Sequence, residues 1–160
     1  DCYGQLCLVE DYIDGREFNV LVMSPPFVIF PVEEIIFESE EKYRILTYTS
    51  KWDTEDRSYK TTRPECPALI SPELKNRIEK VAADTFCTFA SSGYMRIDFR
   101  LDNRDNILVI DVNPNPDIGP DSGAWLQAKT LGWTYQEFIN RIIGSAPISM
   151  EEKCLSGCTG

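Results

Sequence analysis

The chain has 160 residues, a hydrophobic fraction of 42% and a formal net charge of −10. This length suits one domain with its own core, and no apolar run approaches the roughly 20 residues that a membrane-spanning helix needs. The excess of acids argues against nonspecific nucleic-acid binding, which depends on lysines and arginines that neutralise phosphates. The lack of histidine excludes Ser-His-Asp and Cys-His catalysis.

The N-terminal quarter of the chain predicts strands. Residues 6–12 have the composition of a strand, and the alternation of residues 16–23 predicts a second strand that pairs with the first across the Asp14-Gly15 turn. Residues 27–37 fit one long strand interrupted at Pro31, or two short strands, because proline cannot donate a hydrogen bond to a neighbouring strand.

The middle of the chain predicts a loop and then a helix. Residues 43–49 are a further candidate strand, and residues 50–67 are polar, lack periodicity and predict a surface loop of the kind that often forms a lid. Ser71 at the N-cap and Pro72 at the first helical position open a helix. Its apolar stripe has helical spacing: Leu74, Ile78, Val81, Ala82, Thr85 and Phe86.

Residues 93–113 predict a hairpin, because two alternating runs flank the polar residues 103–106. Symmetric closure pairs Leu101 with Leu108, Asp98 with Asp111, and Arg96 with Asn113. Directly opposed like charges destabilise a sheet, so this pairing needs a countercharge, and a divalent cation with oxygen ligands is the natural candidate. The alternative is two solvated acids with the register shifted by one residue.

The C-terminal part predicts two helices and an irregular tail. Residues 123–131 form a short helix, and the capping box from Thr134 to Glu137 opens a last helix that Gly144 stops near Ile143. The order of strands, loop, helix, hairpin and helices favours an α+β fold, with a mainly antiparallel sheet and flanking helices.

The six cysteines leave several interpretations open. Their even number fits disulfides in a small secreted domain, although the chain is long for such a scaffold. A four-thiolate zinc site would form if the termini met, from Cys2, Cys7, Cys154 and Cys158. Cys87 lies in the helical stretch and is predicted to be a core residue.

Four motifs, in order over residues 7–143, resemble the ATP-grasp ligases, and D-alanine–D-alanine ligases in particular. The segment GYMRIDFRLD followed by ILVIDVNPNPD resembles the metal-binding hairpin of that family. LVEDYIDGREFNVLVM resembles its strand–hinge–strand segment around adenine and ribose, and ILTYTSKWDTEDRSYKTT resembles its mobile loop over ATP. PDSG followed by a helix resembles the site for the acceptor carboxylate.

The resemblance implies a role for each matching residue. It implies ligands for Mg²⁺, with Mn²⁺ as an alternative, at Asp98, Asp111 and Asn113. It implies that Arg96 and Lys51 offset charge on the transferring phosphate. The residues implied to hold ATP are Glu10, Asp11, Tyr12, Ile13 and Glu17. The residues implied to contact the substrate carboxylate are Ser122 and Gly123.

Two positions depart from the family pattern. Position 111 is Asp, where the family commonly has Glu, so the side chain that bridges two ions is one methylene shorter. Asp117 stands where true D-alanine ligases have a small glycine-containing turn, which argues against D-alanine as the substrate.

The resemblance leads to a functional expectation. Residues 1–145 are expected to be the C-terminal lobe of a cytoplasmic ATP-dependent ligase that joins a small carboxylate and an amine through an acyl phosphate, and residues 146–160 a tail. Two phosphate-binding lysines, a glycine-containing loop and an N-terminal substrate domain would lie in another part of the protein, and homodimerisation stays open. Neither nucleic acid nor membrane is expected as a partner. The rival hypothesis is a non-catalytic module that binds metal or nucleotide and docks a partner.

Overall fold

The computed structural model describes residue 4 and residues 6–38, 42–46, 61–89 and 92–146. These ranges form one antiparallel sheet with helices on both faces, which confirms the predicted α+β class. The strands are β1 Gly15–Ser24, β2 Val28–Ile29, β3 Glu33–Phe37, β4 Thr62–Glu65, β5 Gly93–Asp102 and β6 Ile107–Asn113. The helices are α1 Pro72–Phe89, α2 Gly123–Thr130 and α3 Tyr135–Ser145. None of these helices has the length and apolar character needed to cross a membrane.

The sheet is ordered β4-β3-β1-β5-β6, and β2 pairs with the far end of β1. β1 is central because its side chains are apolar on both faces at one end, and the strand is buried from Glu17 to Met23. It pairs with β5 along its whole length, from Gly15 opposite Asp102 to Ser24 opposite Gly93.

The strand predicted for residues 6–12 is absent, and this prediction was wrong. The segment has no regular structure, and Leu6 and Val9 are 100% and 88% exposed. The reason is nonlocal: β3 and β5 occupy both edges of β1, so no position beside β1 is left for the segment to pair.

Two further local predictions changed. Residues 43–46 form no strand, and residues 47–49 lie outside the described residues. The predicted loop of residues 50–67 contains β4, which pairs with β3 at the sheet edge. Pro64 is tolerated there because an edge strand has one side without a partner. Residues 27–37 form the two short strands β2 and β3, on either side of Pro31.

Helix α1 covers one face of the sheet. Its buried residues Ile78, Ala82 and Phe86 pack on the side chains that β1 and β5 send to that face, among them Phe18, Val20, Ile97 and Phe99. The Leu74 amide donates to Ser71 Oγ over 3.2 Å, which confirms the predicted cap. Cys87 is exposed rather than in the core, because the helical rotation takes position 87 off the buried stripe.

Helices α2 and α3 cover the end of the opposite face. The cluster that joins them to the sheet consists of Leu21, Met23, Phe30, Ala124, Ala128, Phe138 and Ile142. The capping box of Thr134 and Glu137 is present as predicted, but α3 continues through Gly144 to Ser145. The remainder of this face is polar and carries the candidate site.

The hairpin of β5 and β6 contains a β-bulge. Asp98 pairs with Asp111 and Arg96 with Asn113, as predicted, whereas Leu101 pairs with Ile107 instead of Leu108. The difference arises at the turn, where Asp105 has a φ of 66° and forms the left-handed residue of a three-residue loop. The bulge between Asp98 and Phe99 then restores the register at the acids.

Candidate functional site

A row of polar residues crosses four strands on the face opposite α1. Glu33 on β3 pairs with Asn19 on β1, Asn19 pairs with Asp98 on β5, and Asp98 pairs with Asp111 on β6. Paired residues project to the same side of a sheet. Burial decreases along the row from β3 to β6: Glu33 is 1% exposed, the Asp98 side chain is 14% exposed, and Asp111 is exposed. We call these four residues the polar row.

Arg96 supplies a countercharge to the polar row. Its Nε and Nη2 donate to the two carboxylate oxygens of Asp98 over 2.7 and 2.8 Å, a bidentate geometry. Only 22% of the Arg96 side chain is exposed. The guanidinium therefore offsets the repulsion between Asp98 and Asp111. The sequence had predicted that a divalent cation would supply this countercharge.

The residues predicted to bind metal lie together and offer oxygen ligands only. They are the carboxylates of Asp98 and Asp111 and the side-chain amide of Asn113, whose Oδ1 also accepts from the Asn115 amide over 2.9 Å. Within the described residues, no three acidic or cysteine side chains cluster as a metal site would require, so any ion here would rest on two carboxylates and an amide. Mg²⁺ typically binds through one or two carboxylates plus substrate phosphates and keeps several waters, so this donor set fits Mg²⁺.

Glu33 is a buried carboxyl group that sequence reasoning passed over. Burial raises its pKa to about 7, against the smaller opposing effects of a hydrogen bond from Asn19 and the charge of Arg96. Its Oε2 has no hydrogen-bond partner among the described residues. The signal was an acid in the apolar run of residues 27–37, where neighbouring side chains are buried.

The carboxyl group of Glu33 lies against the first turn of α2. A Cβ atom added to Gly123 would lie 2.6 Å from Glu33 Oε1. Ser122 caps the helix by accepting from the Trp125 amide over 3.1 Å. The structure therefore places the predicted substrate residues Ser122 and Gly123 beside the buried end of the polar row.

Gln127 joins the same helix to the sheet. Its Nε2 donates to Asn19 Oδ1 over 3.0 Å, and its Oε1 accepts from the Leu21 amide over 2.8 Å. Gln127 is 0% exposed, so both bonds are formed away from water. Because buried hydrogen bonds are costly to break without a replacement partner, Gln127 holds α2 in register with the polar row.

We expect Gly123→Ala to lower the free energy of unfolding by about 2 kcal/mol, through a steric clash with Glu33. A carboxylate is normally easy to move, but Glu33 is buried against the sheet and bonded to Asn19. The measurement is urea unfolding of both proteins. Gly144→Ala is the control: it meets nothing within 4 Å and should stabilise α3 by about 0.5 kcal/mol. Equal stability of wild type and Gly123→Ala would show that Glu33 moves away without cost.

The predicted nucleotide residues separate into an exposed and a buried group. Glu10 and Asp11 are exposed, Tyr12 and Ile13 are half-buried, and Glu17 is 6% exposed. A cavity of about 290 Å³ lies between this segment and the hairpin turn. It is lined by Tyr12, Ile13, Asp14, Asp102, Asn103, Arg104 and Leu108. The segment thus borders an open space, whereas Glu17 belongs to the buried part of the sheet.

Glu17 forms a buried ion pair with Arg100. Arg100 Nη2 donates to Glu17 Oε2 over 2.5 Å, and their side chains are 5% and 7% exposed. Alternation along β5 puts Arg100 on the same strand face as Arg96 and Asp98, but no role was predicted for Arg100. The alternation of charges along β5 was the signal, and the partner 83 residues away was not visible in it.

Other predicted residues lie outside the described residues or act locally. Lys51 falls among residues that the structure does not describe. Of the four proposed zinc ligands, Cys7 is exposed, and Cys2, Cys154 and Cys158 lie outside the described ranges. Asp117 Oδ1 accepts from the Gly119 amide over 2.8 Å, so Asp117 stabilises a turn.

Comparison with known proteins gives a consistent result. Residues 2–144 match the family model described as D-ala D-ala ligase C-terminus. The chain is 34% identical over 146 residues to the uncharacterised protein y4sG of Sinorhizobium fredii, covering 90% of this chain and 42% of that protein. It is 30% identical over 147 residues to a D-alanine–D-alanine ligase of Thermosipho africanus, covering 91% and 37%. The chain therefore spans about two fifths of the length of these relatives.

Solved structures share the fold. The D-alanine–D-alanine ligase of Bacillus anthracis complexed with ATP superimposes with a TM-score of 0.64 at 20% identity, covering 85% of this chain and 39% of that one. The VanG D-Ala:D-Ser ligase of Enterococcus faecalis gives a TM-score of 0.63 at 22% identity, with coverage of 82% and 36%.

Proposed function

Because this chain belongs to the family of D-Ala–D-Ala ligase C-terminal domains, we propose that it is the ATP- and Mg²⁺-binding lobe of an ATP-dependent carboxylate–amine ligase. The observation that carries the proposal is the polar row, with Arg96 forked onto Asp98 and with Asp111 opposite. Acids, an amide and an arginine on one face of the sheet are suited to a polyphosphate and the cations that accompany it.

In this proposal Asp98, Asp111 and Asn113 hold Mg²⁺, which would neutralise charge on the phosphate oxygens. Arg96 adds a fixed positive charge beside the same site, where it stabilises the negative charge that develops on a transferring phosphoryl group. Its bond to Asp98 orients the guanidinium before ATP binds, so little reorganisation is needed. Lys51 would add a second positive charge from the loop.

The proposed reaction proceeds through an acyl phosphate, so no side chain of the protein needs to act as a covalent nucleophile. ATP would phosphorylate a small carboxylate to an acyl phosphate, and an amine would displace phosphate to form the new C–N bond. Ser122 and Gly123, at the start of α2, would contact the carboxylate of one substrate, because backbone N–H groups at a helix N-terminus favour anions.

We propose that the residues that complete the ATP site opposite the polar row lie elsewhere in a longer protein. The curated relatives are more than twice as long as the matched segment, and this chain would form their C-terminal part. The phosphate-binding lysines, the glycine-containing loop and the domain that selects the first substrate would come from the other part. The identity of carboxylate and amine would therefore be set largely outside these residues.

The test is ADP release by the full-length protein with Mg·ATP and a panel of amino acids. We expect release that requires Mg²⁺, a carboxylate and an amine, and a product whose mass corresponds to a new amide. Hydroxylamine in place of the amine should yield a hydroxamate, which reports the acyl phosphate. Binding of ATP without turnover on any acceptor would favour the non-catalytic module. Failure to bind Mg·ATP would refute the ligase, and failure to bind either Mg²⁺ or ATP would refute both hypotheses.

A further inference from the structure

Arg100 makes more contacts with the predicted nucleotide segment than any role in a simple ion pair requires. Its Nη1 donates to the carbonyl oxygens of Ile13 and Gly15 over 3.4 and 3.3 Å. Its Nη2 donates to Glu17 and also to the carbonyl oxygen of Arg44. One guanidinium on β5 therefore bonds to the residues that lead into β1, to β1 itself and to the backbone at residue 44.

The two segments that Arg100 joins also contact each other. The Arg44 amide donates to the Tyr12 hydroxyl over 3.1 Å, and Arg44 Nη2 donates to Asp14 Oδ1 over 2.8 Å. The rings of Tyr12 and Tyr43 meet edge to face at 5.1 Å. Arg100 lies beneath this unit, with its guanidinium carbon 5.7 Å from the centre of the Tyr12 ring.

The chemistry of this contact argues for positioning instead of direct participation. Arg100 is only 4% exposed, and its side-chain donors are directed at protein carbonyls and at Glu17. Arginine can serve several acceptors at once because its guanidinium offers five N–H donors in a fixed plane. Removing it would take the Arg100 charge away from the buried carboxylate of Glu17 and would release the carbonyls of Ile13 and Gly15.

We propose that Arg100 is a positioning residue that fixes residues 12–15 and residue 44 to the sheet and thereby sets the affinity of the protein for the nucleotide, without acting in phosphoryl transfer. This inference rests on the proposed function, since it assigns the segment of Tyr12 and Ile13 to the nucleotide. A preorganised segment binds more tightly because its ordering has been completed before the ligand arrives.

The test uses Arg100→Met and Arg100→Lys in the full-length protein. Arg100→Met keeps the length of the side chain but removes its charge and donors, and should raise KM for ATP about 10-fold while kcat stays within about 3-fold. Arg100→Lys keeps a cation for Glu17 but lacks the planar fork, and should raise KM by about 3-fold. If the Met variant does not fold, the same KM and kcat measurement on the Lys variant decides.

Arg16→Met is the matched control. Arg16 lies next to Glu17 on β1, and its guanidinium donates to both carboxylate oxygens of Glu34 over 2.6 and 2.6 Å. Among the described residues, its side chain forms no hydrogen bond with residues 12–15 or with residue 44. It should lower the melting temperature and leave KM for ATP unchanged. An unchanged KM in both Arg100 variants, or an equal rise in Arg16→Met, would overturn the inference.

The two levels of proposal can be told apart. A wild-type protein without Mg·ATP-dependent ADP release refutes the proposed function before any variant is compared. An active wild type whose KM for ATP is insensitive to Arg100 refutes only the positioning role. A fall in kcat at constant KM would place Arg100 in the chemical step and would likewise overturn the inference.

Discussion

We expect Asp98→Asn and Asp111→Asn each to lower Mg·ATP-dependent ADP release of the full-length protein about 100-fold or more. Each substitution replaces a carboxylate of the proposed metal site with a neutral amide that binds Mg²⁺ poorly. Asp98→Asn also removes the partner of Arg96, whose orientation depends on both carboxylate oxygens. The measurement is the initial rate of ADP release over a range of Mg²⁺ concentrations.

Asp111→Glu provides a control within the site. It keeps the carboxylate and adds the methylene that the family pattern commonly has, so activity should be retained. Asp84→Asn removes an acid that pairs with Lys80 on the surface of α1 and should leave the rate unchanged. Full activity in Asp111→Asn would remove Asp111 from the metal site, and full activity in both Asn variants would refute the polar row as the catalytic centre.

Glu33→Gln should make the protein more stable than wild type at pH 8 but not at pH 4. The pKa of Glu33 is about 7 in the folded protein against 4.5 for an ordinary Glu, because burial disfavours the charged form. The stabilisation linked to this raised pKa is present below pH 4.5 and is lost as pH rises from 4.5 through 7. Gln stays neutral, so the free energy of unfolding of Glu33→Gln relative to that of wild type should rise by about 3 kcal/mol between pH 4.5 and pH 7.

The experiment is urea unfolding of wild type and Glu33→Gln at several pH values, in EDTA and without nucleotide. The difference between the two proteins isolates Glu33, since all other titrating groups are shared. Asp102→Asn should instead be less stable than wild type at neutral pH, because hydrogen bonds from Asn106 lower the pKa of Asp102. This difference should shrink as the pH falls and Asp102 is protonated. A stability difference between wild type and Glu33→Gln that does not vary between pH 4 and pH 8 would contradict the raised pKa.

Features that depend on neighbouring residues could be predicted from the sequence. The cap at Ser71 and the capping box of Thr134 and Glu137 involve partners three residues apart, so the pattern contains the whole interaction. The pairing of Asp98 with Asp111 was also accessible, because a short turn limits the register. The turn itself was misjudged by one residue, and the bulge compensated for that error.

The unpredicted features all depend on which segments become neighbours in space. Residues 6–12 have the composition of a strand, yet both edges of β1 are taken by strands from distant parts of the chain. No role was predicted for Glu33, because α2, which covers it, begins 90 residues further along the chain. Nothing in the local pattern around either segment specifies these partners.

The sequence by itself therefore determined the three helices, β1, the hairpin with its acid pair, and the resemblance to a known family. These follow from turn chemistry, capping and alternation, which act over a few residues. Only the tertiary structure decided that Arg96 neutralises Asp98, that Glu33 is buried against Gly123, and that Arg100 binds Glu17. The physical reason is that burial and charge pairing depend on packing between distant segments, and packing sets both the pKa of Glu33 and the partners of Arg100.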